Sequence, residues 1–215
     1  MVNDYYFRNI DTEAKAYFVG YLLADGCINK STHGGYNVVQ LHLSYKDIEI
    51  IELLQAETCN TRKIYVDKNY TRCAFRATSD IMVNDLARFG IVPRKTGCEH
   101  PDFSYIPSEL LRHAFRGMID GDGWLSISHT STGKLSTSVG ICGSFDMCQY
   151  FTQYISEVLG KNMLSPSKVK NKNCYKIGYS SLKDGKDIIR LLYGDSTIRL
   201  SRKYERAKEI LNILC

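Results

Sequence analysis

Two carboxylates stand at the ends of two nearly matching words. "YFVGYLLADGC" runs apolar from Tyr17 and reaches Asp25, and "AFRGMIDGDGW" starts at Ala114 and reaches Asp122. Both words have helical spacing and meet a glycine directly after the acid, as helix ends commonly do. An aspartate there sits at the negative end of the helix dipole, at a cost of roughly 0.3–1 kcal/mol in an exposed setting. If the two ends lie side by side, the carboxylates also repel and one pKa rises. A divalent cation removes the conflict, because Mg²⁺ takes oxygen ligands, binds through one or two carboxylates and completes its shell with water and phosphate oxygens. The end carbonyls of Ala24 and Gly121 are further candidate ligands. A solvent-exposed Asp-Gly turn accounts for one such acid taken alone, whereas a local rule broken at two equivalent places marks a site. An EF-hand reading of "DGDGWLSISHT" fails, since Trp124 and Leu125 stand where an acid or amide and then the glycine are required. A glycosidase-like carboxylate pair would need a sugar cleft, of which the sequence carries no sign.

The words belong to a longer duplication. Gly20–Gly26 aligns with Gly117–Gly123 at an offset of 97, since 117 − 20 and 123 − 26 agree. Downstream, "LSYKDIEIIELL" from Leu43 matches "GSFDMCQYFTQY" from Gly143, and "CAFRATS" from Cys73 matches "CYKIGYS" from Cys174, so the offset drifts to 101. Strand signals fall at "NVVQLHLS", "RKIYV" and "RCAFRAT" in the first copy, and at "WLSIS", "STSVGICGS", "SKVK" and "CYKIGYS" in the second. Helices are predicted at "DIEIIELLQAE", "SDIMVNDLARFG", "MCQYFTQYISEVLG" and "KDIIRLLYG". A bridge from Val92 to Leu110 holds three of the four prolines and joins the copies. Small residues one turn apart, Gly20 with Ala24 and Gly117 with Gly121, let two helix backbones approach closely and would place Asp25 beside Asp122.

Strands with one apolar and one polar face predict sheets covered by helices on one side only. With Val39, Leu41 and Leu43 inward, Gln40, His42 and Ser44 face out; Lys63 and Tyr65, Arg72 and Arg76, Lys168 and Lys170, and Lys176 extend the polar surface. Amides, hydroxyls and cations on four strands in two copies suit a nucleic-acid surface better than an idle solvated face. The net charge of +5 permits such a partner without demanding one. The eight cysteines contain no CxxC, and Cys98 with His100 is too isolated for a zinc site. With no signal peptide and no bilayer-length apolar run, an intracellular, reducing location without membrane contact is expected.

Phe18–Gly26 and Phe115–Gly123, with the approaches "AKAYFVGYLLADG" and "IPSELLRHAFRGMIDGDG", resemble the LAGLIDADG homing endonucleases in their single-chain, two-motif form. The resemblance implies an α+β fold of two pseudo-symmetric αββαββα half-domains, residues 1–96 and 110–215 around a linker at 97–109, whose antiparallel sheets form a saddle over DNA. It implies motif helices as the interface, with Gly20 and Gly117 in it, and Asp25 and Asp122 as metal-binding catalytic residues. The implied activity is cleavage of both strands of a long asymmetric site with Mg²⁺ or Mn²⁺, Ca²⁺ being a non-cleaving substitute, leaving short 3′ overhangs. The implied partner is double-stranded DNA of roughly twenty base pairs bound by a monomer. Lys95 and Lys203 fall where the family keeps basic residues near the reacting phosphate; Ser44 and Ser144 fall where some relatives order solvent. The departure is Leu23, which stands where the second copy has Asp120. An RNA maturase aiding its host intron, with host intron RNA as partner, and a cleavage-dead DNA-binding regulator are alternatives on the same fold.

Overall fold

A computed structural model describes residues 1–30, 35, 37–95, 100–129 and 132–213. The expected boundary at residues 96 and 97, together with Cys98 and Cys215, lies outside the described residues. The order is α1 (Glu13–Asp25), β1 (Gly26–Lys30), β2 (Asn37–Ser44), α2 (Ile48–Glu57), β3 (Tyr65–Val66), β4 (Arg72–Thr78) and α3 (Asp80–Ala87), and then α4 (Leu111–Asp122), β5 (Gly123–His129), β6 (Leu135–Gly143), α5 (Phe145–Leu159), β7 (Ser167–Lys168), β8 (Tyr175–Tyr179) and α6 (Leu182–Tyr193). This is αββαββα twice, followed by α7 (Ser201–Asn212). Two antiparallel sheets result, ordered β1-β2-β4-β3 and β5-β6-β8-β7.

Apolar residues at alternate strand positions account for the one-sided cover. Val39, Leu41, Phe75, Ala77, Val139, Ile141 and Ile177 are buried against helices. Burial of α1 is nearly complete from Ala16 to Leu23, because it lies between its own sheet and α4; such all-round apolarity is what a central helix needs. Ser79 and Ser144 accept bonds from Met82 and Met147 N–H at 3.1 Å and so start α3 and α5. Ser144 therefore has a capping role at the place where solvent ordering was anticipated.

Several expectations need correction. No strand is predicted directly after Asp25, yet β1 follows α1 without a loop and pairs with β2 from Gly26↔Leu41 to Lys30↔Asn37. The glycines that end α1 and α4 are not left-handed caps: Gly26 has φ −72° and Gly123 φ −90°. They are small because the chain folds back tightly, a Cβ at Gly26 falling 2.5 Å from the Leu22 carbonyl oxygen and one at Gly123 falling 2.6 Å from Ile119 Cα. The strand at "RKIYV" shrinks to Tyr65–Val66 and that at "SKVK" to Ser167–Lys168. Gln40 pairs with Arg76 and Gly140 with Gly178. The copies therefore align there at 178 − 76 = 102, one residue from the sequence alignment. No disulfide joins the described cysteines, and among the described residues no helix is long and apolar enough to cross a membrane.

Candidate active site

The site is built by contact between α1 and α4. A Cβ on Gly20 would lie 1.8 Å from the Ala114 carbonyl oxygen, and one on Gly117 would lie 2.1 Å from that of Tyr17. Since 17 + 97 = 114 and 20 + 97 = 117, these are equivalent contacts, each made once from either helix, so the seam has local two-fold symmetry. Toward the helix ends, a Cβ on Gly121 would lie 2.5 Å from Ala24 Cβ and 3.3 Å from Asp25 Oδ2. The small residues thus bring Asp25 against the last turn of α4, next to Asp122.

Electrostatics at this point are adverse to two anions. Burial, and then the charge of Asp122, push the Asp25 carboxyl up to about 6. Asp122 has solvent on one side and packed helix ends on the other; that burial raises its pKa, with Lys95 and Lys203 acting against the rise. Lys95, 5% exposed, donates from Nζ to the carbonyls of Leu23 at 2.6 Å and Ala24 at 3.0 Å. Lys203, 8% exposed, donates to those of Ile119, Gly121 at 3.2 Å and Gly123 at 2.8 Å. Each lysine therefore sits on the negative end of one motif helix and opposes its dipole. Burial lowers Lys203 to about 8, a fall that Asp120, Asp25 and Asp122 moderate. The carbonyls of Ala24 and Gly121, read from sequence as candidate metal ligands, each already accept one bond from a lysine, and each keeps a second lone pair.

Asp120 acts on Lys203 from the interior rather than from the helix ends. It is 1% exposed and accepts from Tyr17 Oη at 2.9 Å, Tyr193 Oη at 2.6 Å and the Leu200 N–H at 2.8 Å. Its partners tie α4 to α1, to α6 and to the chain entering α7. Nearby, Arg116 is fully buried and donates to Glu13 at 2.7 Å, while Glu13 also accepts from Thr197 and Ile198 N–H. Asp47 accepts from Arg202 at 2.8 and 3.0 Å, and Glu49 accepts from the N–H of Ser201 at 2.7 Å and from its hydroxyl at 2.6 Å. Three carboxylates of the first copy thus hold the start of α7, which carries Lys203. Glu13, Asp47, Glu49 and Arg202 are not predicted from sequence: their partners lie about 100 to 185 residues away, and no local pattern links them.

The open sheet faces collect most of the predicted polar residues. Gln40 lies opposite Arg76, His42 opposite Ala74, Ser44 opposite Arg72, and Tyr65 opposite Ala74. His42 Nε2 is 2.7 Å from Gln40 Oε1, and the Arg76 guanidinium lies 5.0 Å from the centre of the Tyr65 ring. Lys63 leads into β3 and is exposed. In the second sheet, Lys176 pairs with Ser167 and Cys142 on the open face. Lys168 does not join them. It pairs with Tyr175, whose ring packs on Phe145 of α5, so a two-residue ladder turns Lys168 toward the helix side. Lys170 lies in the turn after β7. A groove of about 690 Å³, lined by Gly26, Cys27, Asn29, Pro93, Arg94 and Lys95, adjoins the acid end of α1.

No protein-family model and no curated protein matches this sequence. Solved structures do. The I-LtrWI LAGLIDADG homing endonuclease bound to target DNA is 15% identical, with 95% of this chain and 91% of that chain covered and a TM-score of 0.64. This chain has the LAGLIDADG homing endonuclease fold. LAGLIDADG meganuclease I-AabMI bound to uncleaved DNA is 11% identical over 91% of this chain and 89% of that one, with a TM-score of 0.65. I-SmaMI bound to an uncleaved DNA target in the presence of calcium ions is 12% identical over 91% and 90%, with a TM-score of 0.58. In terms of the LAGLIDADG fold, α1 and α4 are the helices that carry the repeated motif, and they pack against each other.

Among the described residues no group of three or more His, Cys, Asp or Glu side chains is gathered to hold a metal. The donors at the motif-helix ends are two carboxylates and main-chain oxygens. Hard oxygen donors fit Mg²⁺, Mn²⁺ or Ca²⁺ and do not fit a thiolate- or imidazole-bound metal.

Proposed function

We propose that the chain is a site-specific, divalent-metal-dependent DNA endonuclease that acts as a monomer and breaks both strands of a long asymmetric duplex site, leaving short 3′ overhangs. The observation that carries this reading is the pair Asp25 and Asp122, from two copies of one motif, drawn together at the ends of α1 and α4 with Lys95 and Lys203 on either side. The neighbours with this fold that are bound to DNA, one of them with calcium, support the choice of substrate and ion class. The half-domains, residues 1–96 and 110–215 with the linker at 97–109, each bind one half of the site.

Asp25 and Asp122 hold the divalent ions, with the Ala24 and Gly121 carbonyls as further oxygen donors. Bound Mg²⁺ or Mn²⁺ supplies activation of water and stabilisation of the leaving oxygen. Lys95 and Lys203, buried and fixed by helix-end carbonyls, place positive charge where negative charge develops on the phosphodiester, and need no reorganisation during reaction. Gln40, His42, Lys63, Tyr65, Arg72, Arg76 and Lys176 contact the duplex from the open sheets.

The test starts from a randomised duplex library selected for binding in Ca²⁺ and then exposed to Mg²⁺. The selected duplex should be cut on both strands, and Asp25→Asn or Asp122→Asn should abolish double-strand cutting while leaving binding intact. Normal cutting by both variants would overturn the metal assignment. Tight binding of structured RNA that survives loss of both aspartates, without DNA cutting, would favour the maturase reading.

A further inference from the structure

One rung of the two sheets is built from opposite materials. In the first sheet the rung is Cys27, Gln40 and Arg76, a small residue on the edge strand and two long polar ones inside. The equivalent rung of the second sheet is Trp124, Gly140 and Gly178. A Cβ on Gly140 would lie 2.6 Å from Trp124 Cζ2, and one on Gly178 would lie 2.7 Å from the same atom. The indole therefore lies flat across both glycines, in space that only they leave open. Its N–H donates to Ser138 Oγ at 2.8 Å, which fixes the ring and satisfies its polar atom. What the ring offers outward is hydrocarbon. It borders a groove of about 410 Å³ on the open face, with Ser138, Ser167, Lys176, Gly178 and Ser180.

These two rungs suit different features of a base pair. Amide and guanidinium groups pair with the hydrogen-bonding edges of purines in the major groove, whereas an apolar surface recognises the 5-methyl group of thymine. We propose that Trp124 is a specificity-determining residue that reads a thymine methyl group in the half-site bound by the second sheet, while Gln40 and Arg76 read hydrogen-bonding edges at the corresponding place in the other half. This rests on the DNA-binding reading above. The asymmetry gives a target whose halves differ in chemistry at one equivalent position, although the fold is duplicated.

The test uses duplexes selected from a randomised library by the wild-type chain in Ca²⁺. Each thymine of the selected site is replaced in turn by deoxyuridine, which lacks only the methyl group. Wild-type affinity should fall about fourfold at one thymine, the worth of one buried methyl, and emission of the chain's one tryptophan should change on binding. Trp124→Ala should lose preference for thymine at that position alone and should bind the deoxyuridine duplex as well as the parent. Equal wild-type binding to every deoxyuridine duplex would overturn the proposal without any variant. Enrichment of the same thymine by Trp124→Ala would do so too. Failure of the wild-type chain to enrich any sequence is a different result, which would sink the DNA-binding reading itself.

Discussion

The Asp120 carboxylate accepts a hydrogen bond of 2.8 Å from the Leu200 N–H, three residues before the lysine that sits on the end of α4. A motif acid is thereby spent on anchoring the helix that delivers Lys203. Its counterpart Leu23 has no such duty, because Lys95 follows α3 in a loop and reaches the end of α1 without a further helix. Asp120→Leu, which copies the first half into the second, should strand the hydroxyls of Tyr17 and Tyr193 and the Leu200 N–H in the interior. At about 1–3 kcal/mol for each buried unpaired group, urea unfolding should register a loss of at least several kcal/mol.

Gly20 and Gly117 have no room for a methyl group. Gly20→Ala should force α1 and α4 apart, with the penalty typical of overpacking, about 1–3 kcal/mol or more. Because the displacement separates Asp25 from Asp122, cleavage should fall further than stability does. Thermal melts beside cleavage rates separate the two effects, and an unchanged rate in a destabilised variant would show that the seam does not set the spacing of the acids.

In the absence of divalent ions the two aspartates work against the fold. The Asp25 pKa is raised, so the folded chain holds its proton up to about pH 6 while the unfolded chain releases it near 3.8. Stability from this group is present at low pH and is lost as pH rises through that interval. Asp25→Asn should therefore melt higher than wild type at neutral pH in a chelator. Added Mg²⁺ or Ca²⁺ should raise the wild-type midpoint and leave that of the variant where it was. Scanning calorimetry with and without the ion measures both.

Glu49 reaches across from α2 to accept from the N–H and hydroxyl of Ser201, and so caps a helix of the other copy. Glu49→Ala should cost about 1 kcal/mol, the usual worth of a lost N-cap. Lys203 is two residues into the helix so released, so cleavage should drop while DNA affinity changes little. A loss of affinity equal to the loss of rate would show that Glu49 acts on binding instead.

His113 gives the opposite pH dependence to Asp25. Its Nδ1 accepts from Arg116 at 2.7 Å. Burial and the charges of Arg116 and Arg112 lower its pKa to about 4, while Glu13 and Asp195 pull the other way. The unfolded chain takes up this proton first as pH falls from 6.5, so the contribution of the neutral ring is complete above that value and disappears toward pH 4. In an Asp25→Asn background, which removes the opposing titration, urea midpoints should decline as pH falls across this range, and adding His113→Asn, which keeps an acceptor but does not titrate, should flatten the decline.

The duplication, the helix words and the long central strands were legible because they rest on local periodicity: Val39, Leu41 and Leu43 alternate, and β2 and β4 appear where that alternation does. The meeting of Asp25 and Asp122 at the ends of α1 and α4 was legible because each breaks a local rule. β1 was not, since "GCINK" has little strand preference and becomes a strand through pairing with β2. Nor was the facing of Lys168, which depends on a two-residue ladder rather than on its own alternation. The carboxylates holding α7 were invisible for a different reason. Glu13, Asp47 and Glu49 look like ordinary acids of helix first turns until the other end of the chain arrives.

The ion pair between fully buried Arg116 and partly buried Glu13 bears on modularity. A duplicated chain suggests interchangeable parts, and recombining halves from different proteins is an obvious way to compose new specificities. Here the cation is supplied by one part and its partner by the other, and Arg116 has no route to water. A hybrid that keeps Arg116 without Glu13 would enclose an unmatched charge, a far greater penalty than an imperfect apolar fit. Compatibility between parental halves therefore depends on this junction as well as on the helix seam, well away from the surfaces that would be exchanged for their specificity.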